Sequence, residues 1–429
     1  MVESAFLVGA YFNRADEEGA ASLLAELVAT LGIEVAGRAC VFVRERSKRY
    51  LTGSGKAEEL MEEARKLGAD CIVFDNELAP AQQRAWEEEA DLTVIDREEV
   101  ILDIFRMRAR TREAVLQVEL ARMEYSLPRL ARMWGHLDRQ RGGSGGGKGG
   151  GAAARGEGEQ QIEVDRRLAR RRIERIKEEL DEVRRNRQTQ RKRRTDEGIC
   201  QASIVGYTNA GKSSLLNLLS DADVLAEDKL FATLDPTTRR VELPDGQPLL
   251  LTDTVGFVRN LPHRLVEAFK ATLEEAILAD FLIHVLDAGA PEIHAFHETT
   301  LSVLRELGAE GKPTVTVLNK VDLLAGDEAR LHELKRHFDR DAVFVSVRTG
   351  EGIPELVHRL SGMMAGRVSR LRLRLPQARP DLLALLHREG KIVTQDYEGN
   401  DIVLTAVVPH PLRHRFEGHL DGGRDPVEA

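Results

Sequence analysis

Over residues 1 to about 105, short apolar runs alternate with stretches whose apolar positions recur every three or four residues. The runs Ala5–Tyr11, Glu34–Val43, Asp70–Phe74 and Leu92–Ile95 predict strands. Glu17–Leu31, Lys56–Leu67 and Ala81–Glu89 predict helices, with another beginning near Arg97. Such alternation is the pattern of helices packed on a mostly parallel sheet. From Glu113 to Leu137 the period changes: Leu116, Leu120, Met123, Leu127, Leu130, Trp134 and Leu137 recur at alternating steps of four and three. A second seam of this kind runs through Ala169, Ile173, Ile176, Leu180 and Val183. Two such helices joined by one connector predict an antiparallel hairpin, with Pro128 expected to kink or interrupt the first. Seams satisfied within one chain make a monomer the expected state.

The connector, Arg141 to Glu159, reads RGGSGGGKGGGAAARGEGE. Glycine at this density is expected to remain a mobile loop. Paired helices need only a short turn, so the length of the connector and its cations Arg141, Lys148 and Arg155 predict a tip that orders along folded RNA. Beyond Gly198, buried-strand signatures alternate with helical patterns to about Gly366. After Arg367 come LRLRLP, a helix near Asp381–Arg388, and paired strands Lys391–Asp396 and Asp401–Val408 around the turn Glu398-Gly399-Asn400. The expected architecture is α/β and multidomain. It comprises an N-terminal parallel α/β domain at 1–105 and a helical coiled-coil hairpin at 106–197 with its Gly-rich loop at 141–159. A P-loop Ras-like G domain follows at 198–366, then a small α+β domain at 367–429.

At 429 residues the chain exceeds one core. No run approaches the roughly 18 uncharged apolar residues of a membrane span. The start, MVESAFLVGAYFN, lacks the basic lead of a secretory signal. Cys40, Cys71 and Cys200 are odd in number and share no metal-like spacing, so buried thiols in a reducing cytoplasm are expected, with peripheral membrane attachment left open. The net charge of −9 conceals an asymmetry: Arg166–Arg194 holds 14 Lys/Arg against 5 Asp/Glu, so the rest of the chain is near −18. An acidic body with one basic arm points to a polyanionic partner, and ribosomal RNA is the abundant cytoplasmic one.

The candidate chemistry centres on GYTNAGKS: Gly206, Tyr207, Thr208, Asn209, Ala210, Gly211, Lys212 and Ser213. It fits G-x-x-x-x-G-K-[ST], between the apolar pair Ile204–Val205 and a helical pattern starting at Leu215. In that setting, backbone N–H groups cradle an oligophosphate, the lysine bridges its outer phosphates and the serine hydroxyl ligates Mg²⁺. Three further segments follow strand signatures in order: Asp253-Thr254-Val255-Gly256, Asn319-Lys320-Val321-Asp322 and Ser346-Val347-Arg348. The aspartate of an NKxD segment accepts hydrogen bonds from the guanine ring and so rejects adenine; Asp322 holds that place. The ordered set implies a GTP/GDP-binding domain that hydrolyses GTP. FATLDPTTR (231–239) has the position of a first switch, where Thr233, Thr237 and Thr238 compete as the hydroxyl completing the Mg²⁺ shell. Gly53-Ser54-Gly55-Lys56 superficially resembles a phosphate loop, but its spacing is that of a helix-start turn.

The chain resembles the HflX-type GTPases over nearly its whole length. The resemblance is carried by LTGSGKAEEL (51–60), VFDNELAPAQQR (73–84), VIDREEVILDIFRMRARTREAVLQVELA (94–121), RGEGEQQIEVDRR (155–167), GYTNAGKSSLLN (206–217), FATLDPTTR and DTVGFVRNLP (253–262). It implies a cytoplasmic GTPase that binds the large ribosomal subunit, with the hairpin tip approaching the peptidyl-transferase RNA. Subunit splitting, rescue of stalled ribosomes and a link to heat stress are also implied. Carried over residue by residue, it implies nucleotide contacts from Gly206 to Ser213, from Phe231, Ala232, Thr233, Leu234 and Asp235, and from the three later segments. Ser213 and Thr233 become the expected Mg²⁺ ligands, and Lys212, Thr233 and Gly256 the expected catalytic residues.

Where the family has GxRGPGETQLETDRR, this chain has AARGEGEQQIEVDRR, and its connector is longer by GGSGGGKGGG. Phe257 stands where Ras-like proteins place the glutamine that orients the attacking water. Slow intrinsic hydrolysis, stimulated by the ribosome, is therefore expected. Asn209 resembles the asparagine by which some related GTPases hold K⁺. Rival readings are a ribosome-silencing module in which nucleotide only tunes affinity, an RNA-remodelling ATPase, and a signalling GTPase with a protein target.

Overall fold

The computed structural model describes residues 3–11, 17–45, 47–129, 151–196, 199–220, 231, 233–244, 247–258, 274–338, 342–364 and 368–421. Contacts divide the chain into two units: Met1–Val183 with Lys229–Phe231 and Pro262–Phe269, and Arg184–Asp228 with Ala232–Leu261 and Lys270–Ala429. Among the described residues no helix is long and apolar enough to cross a membrane.

In the first unit, β1 (Ser4–Tyr11), β2 (Glu34–Phe42), β3 (Cys71–Phe74) and β4 (Thr93–Asp96) form one sheet in the order β2-β1-β3-β4. Every pairing is parallel. Because successive side chains point to opposite faces, Phe6, Val8, Ile72 and Phe74 go to one side. There they meet α2 (Ser54–Lys66) and α3 (Pro80–Ala90) through Leu60, Met61 and Trp86. Trp86 is fully buried, and its indole N–H donates to Tyr50 O at 2.9 Å. α1 (Glu17–Thr30) packs with α4 (Arg97–Arg108) and against β1 and β2. The Gly53–Lys56 stretch is a helix start: Gly53 is the N-cap of α2.

Carboxylates gather where these parallel strands end. Asp96 caps α4 by accepting from Glu99 N, and also accepts from the Tyr125 hydroxyl. Arg97 pairs with Asp75 at 3.0 Å, both side chains 4% exposed. Arg129 is deeply buried and donates to Gln83 Oε1, Tyr125 O, Leu78 O and Asp96 Oδ2. Its guanidinium also lies 3.6 Å from the Tyr125 ring centroid. Buried charges survive only when so completely partnered.

α5 (Arg112–Ser126) begins with Thr111 accepting from Ala114 N, and it gives way at Pro128 to a 3-10 turn, Leu127–Arg129. Leu130, Trp134 and Leu137 lie outside the described residues, as does the connector up to residue 150. The remainder of the connector is not a loop. α6 runs unbroken from Gly151 to Asp196, 46 residues. The sequence expectation weighed glycine density and overlooked Ala152–Ala154, Glu157 and Glu159, whose helix propensities offset three dispersed glycines. Leu116 and Leu120 of α5 pack on Ile173, Ile176 and Leu180 of α6. The ion pairs Arg112–Glu179 and Arg172–Glu119 step in opposite directions along the two helices, as an antiparallel pairing requires, while Lys177–Glu124 departs from that register.

In the second unit, six strands follow the order β10-β9-β8-β5-β7-β6. These are β5 (Cys200–Gly206), β6 (Thr237–Glu242), β7 (Pro248–Asp253), β8 (Phe281–Asp287), β9 (Thr314–Asn319) and β10 (Val343–Phe344), with β6 antiparallel to β7 and the rest parallel. Ile204, Leu251, Ile283, Val285 and Val317 form the core of one face with Leu215 and Leu216; Leu286, Leu318, Leu334 and Phe338 form a smaller core. A three-stranded antiparallel sheet completes the unit: β11 (Val368–Pro376), β12 (Lys391–Glu398) and β13 (Asp401–Pro409), with β13 central. Leu371, Leu373 and Leu375 of β11 face its core with Leu385 and Leu386. Arg372 and Arg374 alternate with these leucines and both pair with Asp421.

Removing one partner of a buried pair strands the other charge. Arg129→Ala is expected to destabilise the chain by about 3–5 kcal/mol, read as a lowered urea midpoint, whereas Arg49→Ala at an exposed pair should shift it by less than about 1 kcal/mol.

Candidate nucleotide-binding site

β5 lies between β7 and β8 and ends at Gly206, and α7 (Lys212–Ser220) starts six residues later. The intervening turn needs left-handed backbone at Asn209 (φ 60°) and Gly211 (φ 92°). A Cβ at Gly206 would stand 2.1 Å from Val285 O, and one at Gly211 would stand 2.2 Å from Asn319 Nδ2. Both positions therefore exclude any side chain. Lys212 is buried, and its Nζ donates to Tyr207 O at 2.8 Å. Burial pulls its pKa down to about 8 against the opposing pull of Asp253.

Asp253 closes β7 and is fully buried. Its Oδ2 accepts from Ser213 Oγ at 2.6 Å, and Ser213 Oγ lies 2.7 Å from Thr233 Oγ1. Asp253 Oδ1 has no hydrogen-bond partner. Burial raises the pKa of Asp253, with Lys212 and the two hydroxyls opposing. Three converging oxygen groups, one carboxylate oxygen unpartnered, form the donor set that a hard divalent cation takes. Of the three candidate threonines, only Thr233 reaches Ser213; Thr238 Oγ1 pairs with Thr252 Oγ1 at 2.9 Å and Thr237 Oγ1 lies 3.5 Å from Asp235 O.

The segment after Asp253 crosses the phosphate loop. Thr254 Oγ1 donates to Ile204 O at 2.6 Å; Phe257 N donates to Gly206 O at 3.0 Å, and Thr208 N to Phe257 O at 2.8 Å. A Cβ at Gly256 would come within 2.8 Å of both Lys212 Nζ and Thr208 Cα, so glycine is required there too. Val255 and Phe257 are buried.

At the ends of β9 and β10, Asn319 Nδ2 donates to Ala210 O at 2.9 Å and its Oδ1 accepts from Val347 N at 3.1 Å. Lys320 takes a left-handed backbone and pairs with Asp287 at 2.8 Å. Val321 N donates to Val345 O. The Asp322 carboxylate accepts from Ser346 Oγ at 2.7 Å and pairs with Arg348 at 3.3 Å. The structure thus joins the residues from Gly206 to Ser213 with Thr233, the DTVG segment, the NKVD segment and Ser346–Arg348. Leu234 is buried and Asp235 half-buried, while Ala232 lies outside the described residues. Phe231 counts with the first unit, its ring edge-on to Phe105.

Sequence reasoning passed over His284, whose only signal is one polar letter within the apolar strand FLIHVLD. It is fully buried, neither ring nitrogen has a partner, and its ring stacks on His297 with centroids 5.1 Å apart. Burial, then His297 and Lys212, hold its pKa down to about 3. The unfolded chain binds a proton there near pH 6.5 and the folded chain does not, so the stability this group permits is present above 6.5 and lost as pH falls toward 3. His284→Leu is expected to remove that loss: between pH 7 and pH 5 the parent should lose about 2 kcal/mol more than the variant in urea unfolding.

Comparison with known proteins places this geometry. The family described as "GTP-binding GTPase N-terminal" matches residues 20–106, "GTP-binding GTPase Middle Region" matches 108–194, and "50S ribosome-binding GTPase" matches 201–320. GTPase HflX of Akkermansia muciniphila is 57% identical over 425 residues, 98% of this chain and 97% of that protein. GTPase HflX of Escherichia coli is 42% identical over 374 residues, 87% of this chain and 86% of that protein. A GTP-binding protein of Sulfolobus solfataricus, solved with GDP, covers 85% of this chain and 99% of its own at 22% identity and a TM-score of 0.43, a likeness too distant for residue-level comparison. With a P-loop site assembled on a parallel sheet and relatives matching along almost its whole length, the chain belongs to the HflX family and is a GTP-hydrolysing enzyme.

Proposed function

We propose that this GTPase binds the large ribosomal subunit through ribosomal RNA and uses its nucleotide switch to split or rescue stalled ribosomes, with the ribosome stimulating hydrolysis. Two features of one chain carry the reading: a site with phenylalanine at the water-orienting position, and a 46-residue helix containing the basic stretch Arg166–Arg194. Such an arm is drawn to RNA by counterion release, which makes binding steeply dependent on salt. The description "50S ribosome-binding GTPase" for the matching nucleotide domain supports the same partner. In this reading the divisions expected from the sequence, at 105, 197 and 366, separate a scaffold, an RNA-reaching helical element, the G domain and a C-terminal appendage. The chain works as a cytoplasmic monomer.

Within the site, backbone N–H groups from Asn209 to Ser213 receive the phosphates and Lys212 bridges the outer ones. Ser213 and Thr233 would hold Mg²⁺; their oxygens and the unpartnered Asp253 Oδ1 fit that ion. When bound, Mg²⁺ supplies positive charge against the developing charge on the phosphoryl oxygens. Gly256 lets its segment approach the phosphates closely, as only a residue without Cβ can. Asp322 accepts from the guanine ring, and Ser346 and Arg348 hold its carboxylate in place beforehand. The buried Phe257 ring cannot orient water, so the missing stabilisation comes from the bound ribosome. Asn209 at the head of the loop would hold K⁺ as a further charge.

Purified protein should turn GTP over slowly alone and at least tenfold faster with large ribosomal subunits, the stimulation fading between about 50 and 200 mM salt. Equal rates with and without subunits would sink the ribosomal assignment while leaving the GTPase intact. Equal rates in K⁺ and Na⁺ buffers would remove the potassium role. Ser213→Ala should raise the Mg²⁺ needed for half-maximal turnover. Disabling hydrolysis separates a remodeller from a silencer: the former should accumulate on its target, the latter should act unchanged.

A further inference from the structure

The ring of Tyr207 leaves the phosphate loop and lies flat on Phe296, centroids 3.9 Å apart and planes at 12°. Tyr207 is 6% exposed and Phe296 is half-buried. Phe296 sits in the first turn of α8 (Ile293–Glu306), a helix packed against β5 and β8 of the same unit. Its place there is fixed on both flanks. Ile293 is fully buried in the smaller core with Leu286, Leu318 and Leu334, and the His297 ring stacks on His284 of β8. The backbone of Tyr207 is engaged as well. Its two neighbours bond to Phe257, Gly206 O accepting from Phe257 N and Thr208 N donating to Phe257 O. Tyr207 O accepts from Lys212 Nζ at 2.8 Å. Lys212 is buried, where an ammonium without an acceptor is costly. Ring and carbonyl hang from one Cα, so a residue seated by its ring presents its carbonyl in one direction.

We propose that Phe296 is a positioning residue for the phosphate-bridging lysine: its stack on Tyr207 seats the carbonyl that holds Lys212 Nζ. The proposal rests on the reading of Lys212 as the bridge between the outer phosphates. It gives the Tyr207 ring a task, and it brings into the site a helix that carries none of the nucleotide motifs. Phe296 is assigned no contact with the nucleotide; it acts through Tyr207 and then through the lysine.

The test uses full-length protein and three readouts: Kd for GDP, kcat for GTP, and the urea midpoint. Phe296→Leu keeps an apolar side chain but loses the ring face, whereas Phe296→Tyr keeps the ring; both are expected to fold. Phe296→Leu should weaken GDP about fivefold, the worth of one stacked aromatic pair, because the lysine still reaches the β-phosphate of GDP. It should also lower kcat about tenfold through the misplaced ammonium. Phe296→Tyr should stay within about twofold of the parent on both counts, since the stack survives. In a Lys212→Ala background, Phe296→Leu should change GDP affinity by less than about twofold, because both act through one ammonium. A lowered urea midpoint with parental Kd and kcat would make the ring merely structural and overturn the proposal. So would equal losses in Phe296→Tyr, or the full loss persisting without the lysine. Lys212→Ala keeps the two failures apart. If that variant binds GDP as the parent does, the bridging reading has failed; if it binds weakly while Phe296→Leu is normal, the positioning proposal has.

Discussion

One carboxamide ties the nucleotide site together. Asn319 gives its N–H to Ala210 O in the phosphate loop and takes the N–H of Val347 on its oxygen. Three loops that follow three different strands are fixed by those two bonds. The arrangement works because the sheet order sets β9 two places from β5, with β8 between, so an asparagine at the end of β9 can reach the turn that leaves β5. Its amide also occupies the space beside Gly211 that a side chain would need. Aspartate would lack the donor, and glutamine would drive its amide too far. The loop that carries Lys212 and the loops that carry Asp322 and Ser346 thus depend on one neutral residue.

Both units place carboxylates where parallel strands end, and they use them in opposite ways. In the first unit, Asp75 and Asp96 are closed off by Arg97, Arg129, Tyr11 and Tyr125, which supply charge and hydrogen bonds together. Such groups are locked. In the second, Asp253 is equally buried and meets Lys212, two hydroxyls and the backbone of Thr254, with no guanidinium, and its Oδ1 is unpartnered. Low dielectric makes an incompletely matched carboxylate costly, and a cation is what lowers that cost. The difference between scaffold and reactive site here lies in how completely one acid is answered.

The parts legible in the sequence were those whose cause is local. Alternating apolar runs located the parallel strands of the first unit to within a residue or two, since a buried strand between helices has few other readings. GYTNAGKS, DTVG and NKVD stood out because phosphate, metal and guanine each demand particular atoms at particular spacing. What escaped depended on neighbours. The helix start at Gly151 was hidden by counting glycines in a window and ignoring the alanines and glutamates between them. Phe231, grouped with the nucleotide contacts by motif alone, turned out to be held by a ring 126 positions earlier in the chain. His284 looked like any strand residue because the cost of its burial appears only once the strand on either side of it is known.

The small C-terminal sheet has one more consequence. β11 lies at an edge, and an edge strand is an invitation to any other strand with unpaired backbone groups. This one is defended twice: Arg372 and Arg374 project between its leucines, and the chain returns so that Leu420 bridges Leu373 while Asp421 N donates to Arg372 O. An edge that is charged and already partly taken is a poor template for strand addition. Leu420 and Asp421 act as a doorstop against co-aggregation.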